Sequence, residues 1–389
     1  MRILHIYKDY FPVLGGIENY VRQVAEYQAG QGHTVEVLVT NPAFRTVQEE
    51  RDGVKIIKAA SLFKAASTPL SLRLSLELYR RHYSSPPLDI IHLHAPYPVG
   101  EMAWLTNSWL PGFGRKRPHT LMTYHSDIVR QRRLLTFYAP FLRIILARLD
   151  CIVATSPNYI ESSAFLKPLA AKCRVIPLAV DFDRFEKVEP LKVAALRERF
   201  ANSSDKILLL FTGRLRYYKG VQFLLEAMPQ VLPQVQLLII GIGPMEQQLR
   251  EQVARHQLEQ RVIFLGEVAD SELANYYAAS DIFVLPSCER SEAFGIVQLE
   301  AMAAGKPVIS TELGTGTSYV NLNEESGLVV PSADPPALAE AINRLATDQA
   351  RREKMGRRGH ERVRAEFSLE KMNQQLQKLY IELSLGSAS

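Results

Sequence analysis

Glu292 and Glu300 stand on either side of Phe294-Gly295-Ile296, and the segment from Phe294 to about Ala304 reads as a helix. If helical throughout, eight residues at a rise of about 1.5 Å would set the two acids roughly 12 Å apart. Carboxylates accept hydrogen bonds from hydroxyls, while the free amides and partial positive charge of a helix start favour an anion. The spacing therefore suits a diphosphate on the amides of Phe294, Gly295 and Ile296, with one acid accepting from sugar hydroxyls and the other from ribose hydroxyls. Two acids would repel that anion unless cations stood nearby. Gly213-Arg214 and Lys219-Gly220 meet the need, arginine as a planar fork and lysine as a point charge. A third cluster, Phe11-Pro12-Val13-Leu14-Gly15-Gly16, precedes a helix running from Ile17 to about Ala29. Its paired glycines and helix start suit a phosphate or a sugar hydroxyl. Singly, these clusters read equally as a solvated acid pair, two surface cations and a tight turn. Their conjunction points to a nucleotide sugar.

Each cluster follows a strand. Short β-rich runs alternate with amphipathic stretches: Ile3–Ile6, Thr34–Val39, Val54–Ile57, Ile90–Leu93, Thr120–Thr123 and Cys151–Ala154. A turn-rich stretch through Pro177 and a charged helix near Leu191–Phe200 follow. The alternation then restarts with Lys206–Phe211, Val235–Ile240, Val262–Leu265, Ile282–Leu285, Val308–Ser310 and Gly327–Val330. Such alternation predicts α/β architecture, a doubly wound parallel sheet in each of two domains, with ligands at the carboxyl ends of the strands. The expected division is residues 1–185, an acceptor domain, and 186–367, a donor domain. A last helix, 368–389, follows with no strand after it.

Composition narrows the class. The chain is 47% hydrophobic and 22% charged, an ordinary globular balance. No apolar run approaches the ~18–20 residues of a membrane span, and the opening run to Ile6 is too short for a signal-peptide core. Cys151, Cys173 and Cys288 are odd in number and widely spaced, so a reducing, cytoplasmic setting is expected. Net charge is +5, with 23 Lys+Arg against 15 Asp+Glu over residues 1–185 and 23 against 26 thereafter. The basic first half suggests an anionic partner. Arg115-Lys116-Arg117 and the segment with Arg130, Arg132, Arg133, Arg143 and Arg148 are the densest stretches. In the latter, basic residues alternate with Ile128, Leu134, Leu135, Phe137, Tyr138, Phe141 and Leu142, as in a helix lying on an acidic lipid surface. A solvated helix face is the other reading. No nucleic-acid motif accompanies the charge.

Other motifs point elsewhere and are discounted. Asp181-Phe182-Asp183 has the form of a metal-binding DxD motif but lies in the stretch between the domains. His92 and His94 share one strand face without a third ligand, which makes a poor metal site. Gly241-Ile242-Gly243-Pro244 is half a dinucleotide fingerprint interrupted by proline, better read as a loop near the nucleotide base. No GxGxxG occurs in either half, which argues against an NAD-dependent oxidoreductase.

Together, Gly15-Gly16, Gly213-Arg214 with Lys219-Gly220, and Glu292-Ala293-Phe294-Gly295 running to Glu300-Ala301-Met302-Ala303-Ala304-Gly305-Lys306-Pro307-Val308 resemble the family 4 retaining glycosyltransferases. The resemblance covers essentially the whole chain and implies the GT-B fold, two Rossmann-like domains facing across a cleft. It implies that Arg214 and Lys219 hold the donor diphosphate, that Glu292 contacts the transferred sugar and Glu300 the ribose, and that Gly16 lines the cleft. His125, in Thr123-Tyr124-His125-Ser126, matches the family's cleft histidine, which hydrogen-bonds the donor sugar. Read without the resemblance, a lone histidine there is a structural polar group. Asp127 has no independent support as a nucleophile. The last helix is expected to cross back onto the first domain.

Ser291-Glu292-Ala293-Phe294-Gly295 with Gly314-Thr315-Gly316-Thr317-Ser318-Tyr319-Val320 looks like bacterial mannosyl- and rhamnosyltransferases of lipopolysaccharide or exopolysaccharide assembly. That likeness favours GDP-mannose as donor, with UDP-hexoses as the alternative. It also implies a glycan or undecaprenyl-diphosphate- or lipid-linked acceptor at the inner face of the cell membrane. No metal and no cofactor are expected. A nucleotide-sugar epimerase, a phosphorylase and a silent carbohydrate-binding protein are the competing readings. The absence of a lysine context for pyridoxal phosphate disfavours the phosphorylase, and the full set of donor-site residues disfavours the silent binder.

Overall fold

A computed structural model of the chain describes residues 1–13, 15–61, 63–65, 68–110, 117–128, 132–201 and 205–385. The chain divides into two compact units, Met1–Pro177 with Met372–Ser389, and Leu178–Lys371. Residues 178–185, expected with the first domain, go with the second because Phe182 packs on His360 and Phe185 on Tyr277. Residues 368–371 stay with them, and Ser368 pairs with Val180.

The first unit holds β1 (Arg2–Ile6), β2 (Thr34–Asn41), β3 (Val47–Arg51), β4 (Val54–Ala60), β5 (Phe63–Ala65), β6 (Thr68–Leu70), β7 (Ile90–Ala95), β8 (His119–Tyr124), β9 (Cys151–Ala154) and β10 (Cys173–Val175). Its main sheet runs β10-β9-β8-β7-β1-β2-β4-β3, and β5-β6 form a separate pair. The main sheet is parallel except for β3, which returns antiparallel along β4. The connecting helices are α1 (Gly16–Gly30), α2 (Leu72–His82), α3 (Pro98–Ser108), α4 (Arg132–Arg148) and α5 (Pro157–Ser162). Strands β3, β5, β6 and β10 are additions to the sequence reading. β3 is exposed and charged, so it lacks the apolar run that marks a central parallel strand.

The second unit begins with α6 (Asp183–Glu186) and α7 (Pro190–Phe200). Its strands are β11 (Ile207–Thr212), β12 (Val235–Ile240), β13 (Val262–Gly266), β14 (Ile282–Leu285), β15 (Val308–Glu312) and β16 (Gly327–Pro331). All six lie where the apolar runs place them, in one parallel sheet ordered β13-β12-β11-β14-β15-β16. Its helices continue as α8 (Val221–Ala227), α9 (Glu246–Arg255), α10 (Leu273–Ala279), α11 (Ile296–Ala303), α12 (Gly316–Val320), α13 (Pro335–Thr347) and α14 (Gln349–Glu366). β11, Ile-Leu-Leu-Leu-Phe-Thr, is buried along its whole length, as expected of a strand covered on both faces.

The last helix, α15 (Leu369–Leu385), belongs from Met372 onward to the first unit. Tyr380 reaches His92 Nδ1 at 2.6 Å, and Gln377 reaches His33 at 2.8 Å.

Candidate active site

In the second sheet the strand order reverses between β11 and β14, which pair directly. Connections leave such neighbours in opposite directions and open a crevice at their carboxyl ends. β11 runs into Gly213-Arg214, and Lys219-Gly220 opens α8; β14 runs into the loop that carries Glu292. Two clusters far apart in sequence thus arrive at adjacent strand ends. Glycine at position 220 makes the approach possible. It takes φ 71°, and a β-carbon there would sit 1.8 Å from the Pro286 carbonyl oxygen.

Lys219 Nζ lies 2.5 Å from Glu292 Oε2, with both side chains nearly buried. Ser287 Oγ donates to the same carboxylate oxygen at 3.2 Å. Burial by itself would lower the lysine pKa, but Glu292, Tyr218 and Glu300 together outweigh it and raise the value. Lys219 is therefore a buried ammonium. It carries three donors, and the ion pair engages one of them. Arg214 is exposed and makes no ion pair among the described residues. Glu300 is half-buried, and its Oε2 accepts from the Tyr277 hydroxyl at 2.7 Å; Tyr277 in turn lies 2.6 Å from Thr212 Oγ1. Burial raises the Glu300 carboxyl pKa, and the Tyr277 hydrogen bond opposes that shift. One acid is thus neutralised by a cation, while the other is oriented by a hydroxyl.

The helix between the acids starts later than the sequence suggests. α11 begins at Ile296, because Gly295 adopts the left-handed conformation with φ 77° and ψ 62°. A β-carbon at Gly295 would lie 2.7 Å from both Gln298 and Leu285, so the turn requires glycine. Only part of the stretch from Glu292 to Glu300 is therefore helical, and the 12 Å estimate for a continuous helix does not apply. Phe294 is buried against Phe367, and its carbonyl accepts from Gln298 Nε2 at 3.2 Å. The amides of Gly295 and Ile296 have no protein acceptor among the described residues. They are donors left open at this helix start.

In the first unit, α1 begins at Gly16 and is capped by Gly15 in an extended conformation. The left-handed freedom of glycine is not needed at Gly15, and the Glu18 carboxyl folds over the place where its β-carbon would stand. Leu14 of this motif lies outside the described residues. His125 follows the end of β8, and its amide donates to the Ala95 carbonyl at 3.0 Å. Its ring is buried, with Nε2 3.4 Å from His94 Nδ1. Burial lowers its pKa to about 3, so the imidazole is neutral.

Behind His125 lies a row that the sequence reading missed. His5, His92, His94, Thr123 and His125 share one face of the sheet, since His5 pairs with His92 and His94 with Thr123 in parallel register. His5 supplies the third histidine that His92 and His94 lacked, and the three form a group within metal-ligating reach. Their ring nitrogens are instead engaged by Gln28, Tyr380, Thr123, His125 and one another. Period-two alternation shows that His92 and His94 face the same way, but it cannot place β1 beside β7. Tyr277, Thr212 and Ser287 were missed for a similar reason, since nothing local marks them apart from core residues. Asp181 and Asp183 are absent from any metal-ligating group among the described residues. Asp127 is held in place by Tyr124 and Ser163, whose hydroxyls donate to it at 2.9 Å.

Comparison with known proteins agrees with this fold. Residues 193–362 match the model of glycosyl transferases group 1, and residues 14–184 match that of Glycosyltransferase Family 4. The chain is 35% identical over 384 residues to the O-antigen chain mannosyltransferase C of Escherichia coli, covering 98% of this chain and 99% of the relative. It is 35% identical over 369 residues to the D-rhamnosyltransferase WbpZ of Pseudomonas aeruginosa, covering 95% and 92%. Among solved structures, sucrose-phosphate synthase from Thermosynechococcus elongatus superposes with a TM-score of 0.81 at 28% identity, covering 100% of each chain. The chain belongs to the family 4 glycosyltransferases, of the GT-B fold class, and is a nucleotide-sugar-dependent hexosyltransferase.

Proposed function

We propose that this enzyme is a retaining mannosyltransferase that uses GDP-mannose and extends a glycan or an undecaprenyl-diphosphate- or lipid-linked acceptor in cell-surface polysaccharide assembly. The observation that carries the reading is the buried Lys219–Glu292 pair at the strand crossover, close in sequence to the unpaired amides of Gly295 and Ile296. Lys219 and Arg214 bind the diphosphate, together with those amides. Glu292 accepts from the mannose hydroxyls and Glu300 from the ribose. The acceptor hydroxyl attacks the anomeric carbon on the face the diphosphate leaves. Its proton passes to the departing phosphate oxygen as the glycosidic bond forms and the sugar–phosphate bond breaks. Negative charge grows on the leaving group, and cations and amides already in place stabilise it without reorganising. They supply the counter-charge, so the reading calls for no metal.

The mannosyl and rhamnosyl names of the full-length relatives support the choice of sugar. A thermal-shift panel of GDP, UDP and ADP with their common sugars tests the donor. A ligand at a hundred times its Kd adds about 2.7 kcal/mol of stability. GDP and GDP-mannose should raise the melting temperature. A shift with uridine nucleotides alone would replace the donor with a UDP-hexose. Conversion of the donor without an acceptor would mark an epimerase.

Contact with the membrane forms part of the same proposal. No described helix is long and apolar enough to cross a bilayer. On α4, however, Phe137, Phe141 and Ile144 are exposed along one face, while Leu142, Ile145 and Leu146 are buried. Trp109, also exposed, lies under the Arg148 guanidinium at 5.5 Å. Exposed apolar groups flanked by Arg143 and Arg148 suit an anionic lipid surface. Arg115, Lys116 and Arg130 lie outside the described residues.

A further inference from the structure

The histidine row has a direction, and its far end is Gln28 on α1. Gln28 Oε1 lies 2.8 Å from His5 Nε2. A carboxamide oxygen only accepts, so His5 carries its proton on Nε2 and leaves Nδ1 bare. His5 Nδ1 lies 3.0 Å from His94 Nε2, so His94 must donate there and leave its own Nδ1 bare. His94 Nδ1 lies 3.4 Å from His125 Nε2, so the same rule places the His125 proton on Nε2. Every bond from Gln28 to His125 is satisfied in one sense. Rotating the carboxamide by half a turn would turn its amino group toward His5 and reverse each of them, so Gln28 acts as the selector.

We propose that Gln28, through His5 and His94, holds His125 as the neutral Nε2–H tautomer, so that His125 Nδ1 is presented as a hydrogen-bond acceptor for a hydroxyl of the carbohydrate substrate. Nδ1 has no protein partner among the described residues. Gln28, His5 and His94 are positioning residues, and His125 accepts a hydrogen bond without moving a proton. The role of His125 toward substrate rests on the transferase reading, whereas the tautomer does not.

The test separates the two. Long-range 1H–15N spectra of the full chain labelled in histidine distinguish the neutral tautomers, with His125→Gln identifying the signals of residue 125. The wild type should show His125 as Nε2–H. Gln28→Met keeps the bulk of the side chain but removes the selector, and should convert the signal to a mixture. Gln28→Glu, still an acceptor toward His5, should restore a single Nε2–H form. With half the molecules in each form, kcat/KM for mannosyl transfer from GDP-mannose should fall about two-fold in Gln28→Met, in proportion to the competent fraction. It should recover in Gln28→Glu. An Nδ1–H wild type, or a Gln28→Met spectrum identical to the wild type, overturns the relay whatever the activity. An intact tautomer pattern with undiminished transfer by His125→Ala instead removes the substrate role and leaves the relay standing.

Discussion

At their candidate site residues the two units handle buried polar groups in opposite ways. The first unit buries four histidines on one sheet face, and burial lowers the pKa of each, to about 4 for His5 and about 3 for His125. Their polarity is satisfied by neutral hydrogen bonds that orient a ring. The second unit buries a charge, Lys219, against Glu292. A neutral network suits recognition of hydroxyls, where donor and acceptor direction decides the contact. A poised cation suits a leaving group that gains negative charge. The difference teaches that each unit's electrostatics match the chemistry proposed for it.

The largest effect should come from the charged side. Lys219→Ala removes a diphosphate ligand and leaves the Glu292 carboxylate buried without its partner. Breaking a buried pair this way costs about 3–5 kcal/mol of stability. Transfer should also fall a hundredfold or more, on the order of 3 kcal/mol. Arg214→Ala should lose a similar factor in rate with no change in melting temperature, since Arg214 is exposed and unpaired among the described residues. Initial rates and thermal melts on both variants check this. Wild-type transfer by both would remove the diphosphate site.

Next comes acid. In the unfolded chain histidine takes up a proton near pH 6.5, whereas native His5 resists until about pH 4. Stability is therefore lost as pH falls through this window, by about 3 kcal/mol for His5 alone at pH 4. The two tryptophans of the chain, Trp104 and Trp109, both lie in the first unit, so their fluorescence reports its unfolding separately. Urea midpoints followed this way should drop between pH 7 and pH 5. A flat profile would mean that the rings are not held neutral.

Glu101 works against that trend. Burial pushes its carboxyl up to about 7, although the hydrogen bonds from Tyr138 and the Tyr97 amide oppose the shift. The native state holds this proton more tightly than the unfolded chain, so stability rises as pH falls from about 7 toward 4.5. Glu101→Gln removes the offset and should steepen the acid loss by up to about 3 kcal/mol across that window. A pH profile parallel to the wild type would show that Glu101 is ionised in the native protein.

The elements that sequence reading recovers have strong local signals. The continuous apolar runs of β11 and β14 announce fully buried strands, and the Glu292–Glu300 motif sits between them and the next strand. What it loses is non-local. Nothing in the sequence brings Lys219 and Glu292 together, and only the β11–β14 pairing shows that they touch. His5 joins His92 and His94 through the β1–β7 register, which no periodicity reveals. The β3–β4 hairpin is a different case, because Asp52-Gly53, with φ 51° and 75°, is a strong hairpin turn signal. The charged exterior of β3 hid what the turn announced. The late start of α11 is local too, but a left-handed Gly295 has no sequence mark beyond glycine itself.

The smallest effect concerns surfaces. Phe137, Phe141 and Ile144 lie on one exposed face of α4, whereas Leu191, Tyr217 and Ile242, exposed in the second unit, come from three separate segments of the chain. Single exposed apolar residues are normal on soluble proteins, but an aromatic stripe beside arginines suits a lipid interface. Inserting one aromatic ring into the interfacial region is worth at most the ~1.5–3 kcal/mol of full burial. Phe141→Ser should therefore weaken binding to vesicles containing acidic phospholipid by about tenfold, roughly 1.4 kcal/mol. Leu191→Ser should leave it unchanged. Because the arginines act through charge, raising the salt concentration should weaken binding of the wild type and Phe141→Ser alike. Co-sedimentation at two salt concentrations measures both terms. Equal losses in Phe141→Ser and Leu191→Ser would show that the stripe on α4 has no special role. Binding that responds to salt but not to Phe141 would leave charge alone as the attraction, with the helix face outside the lipid.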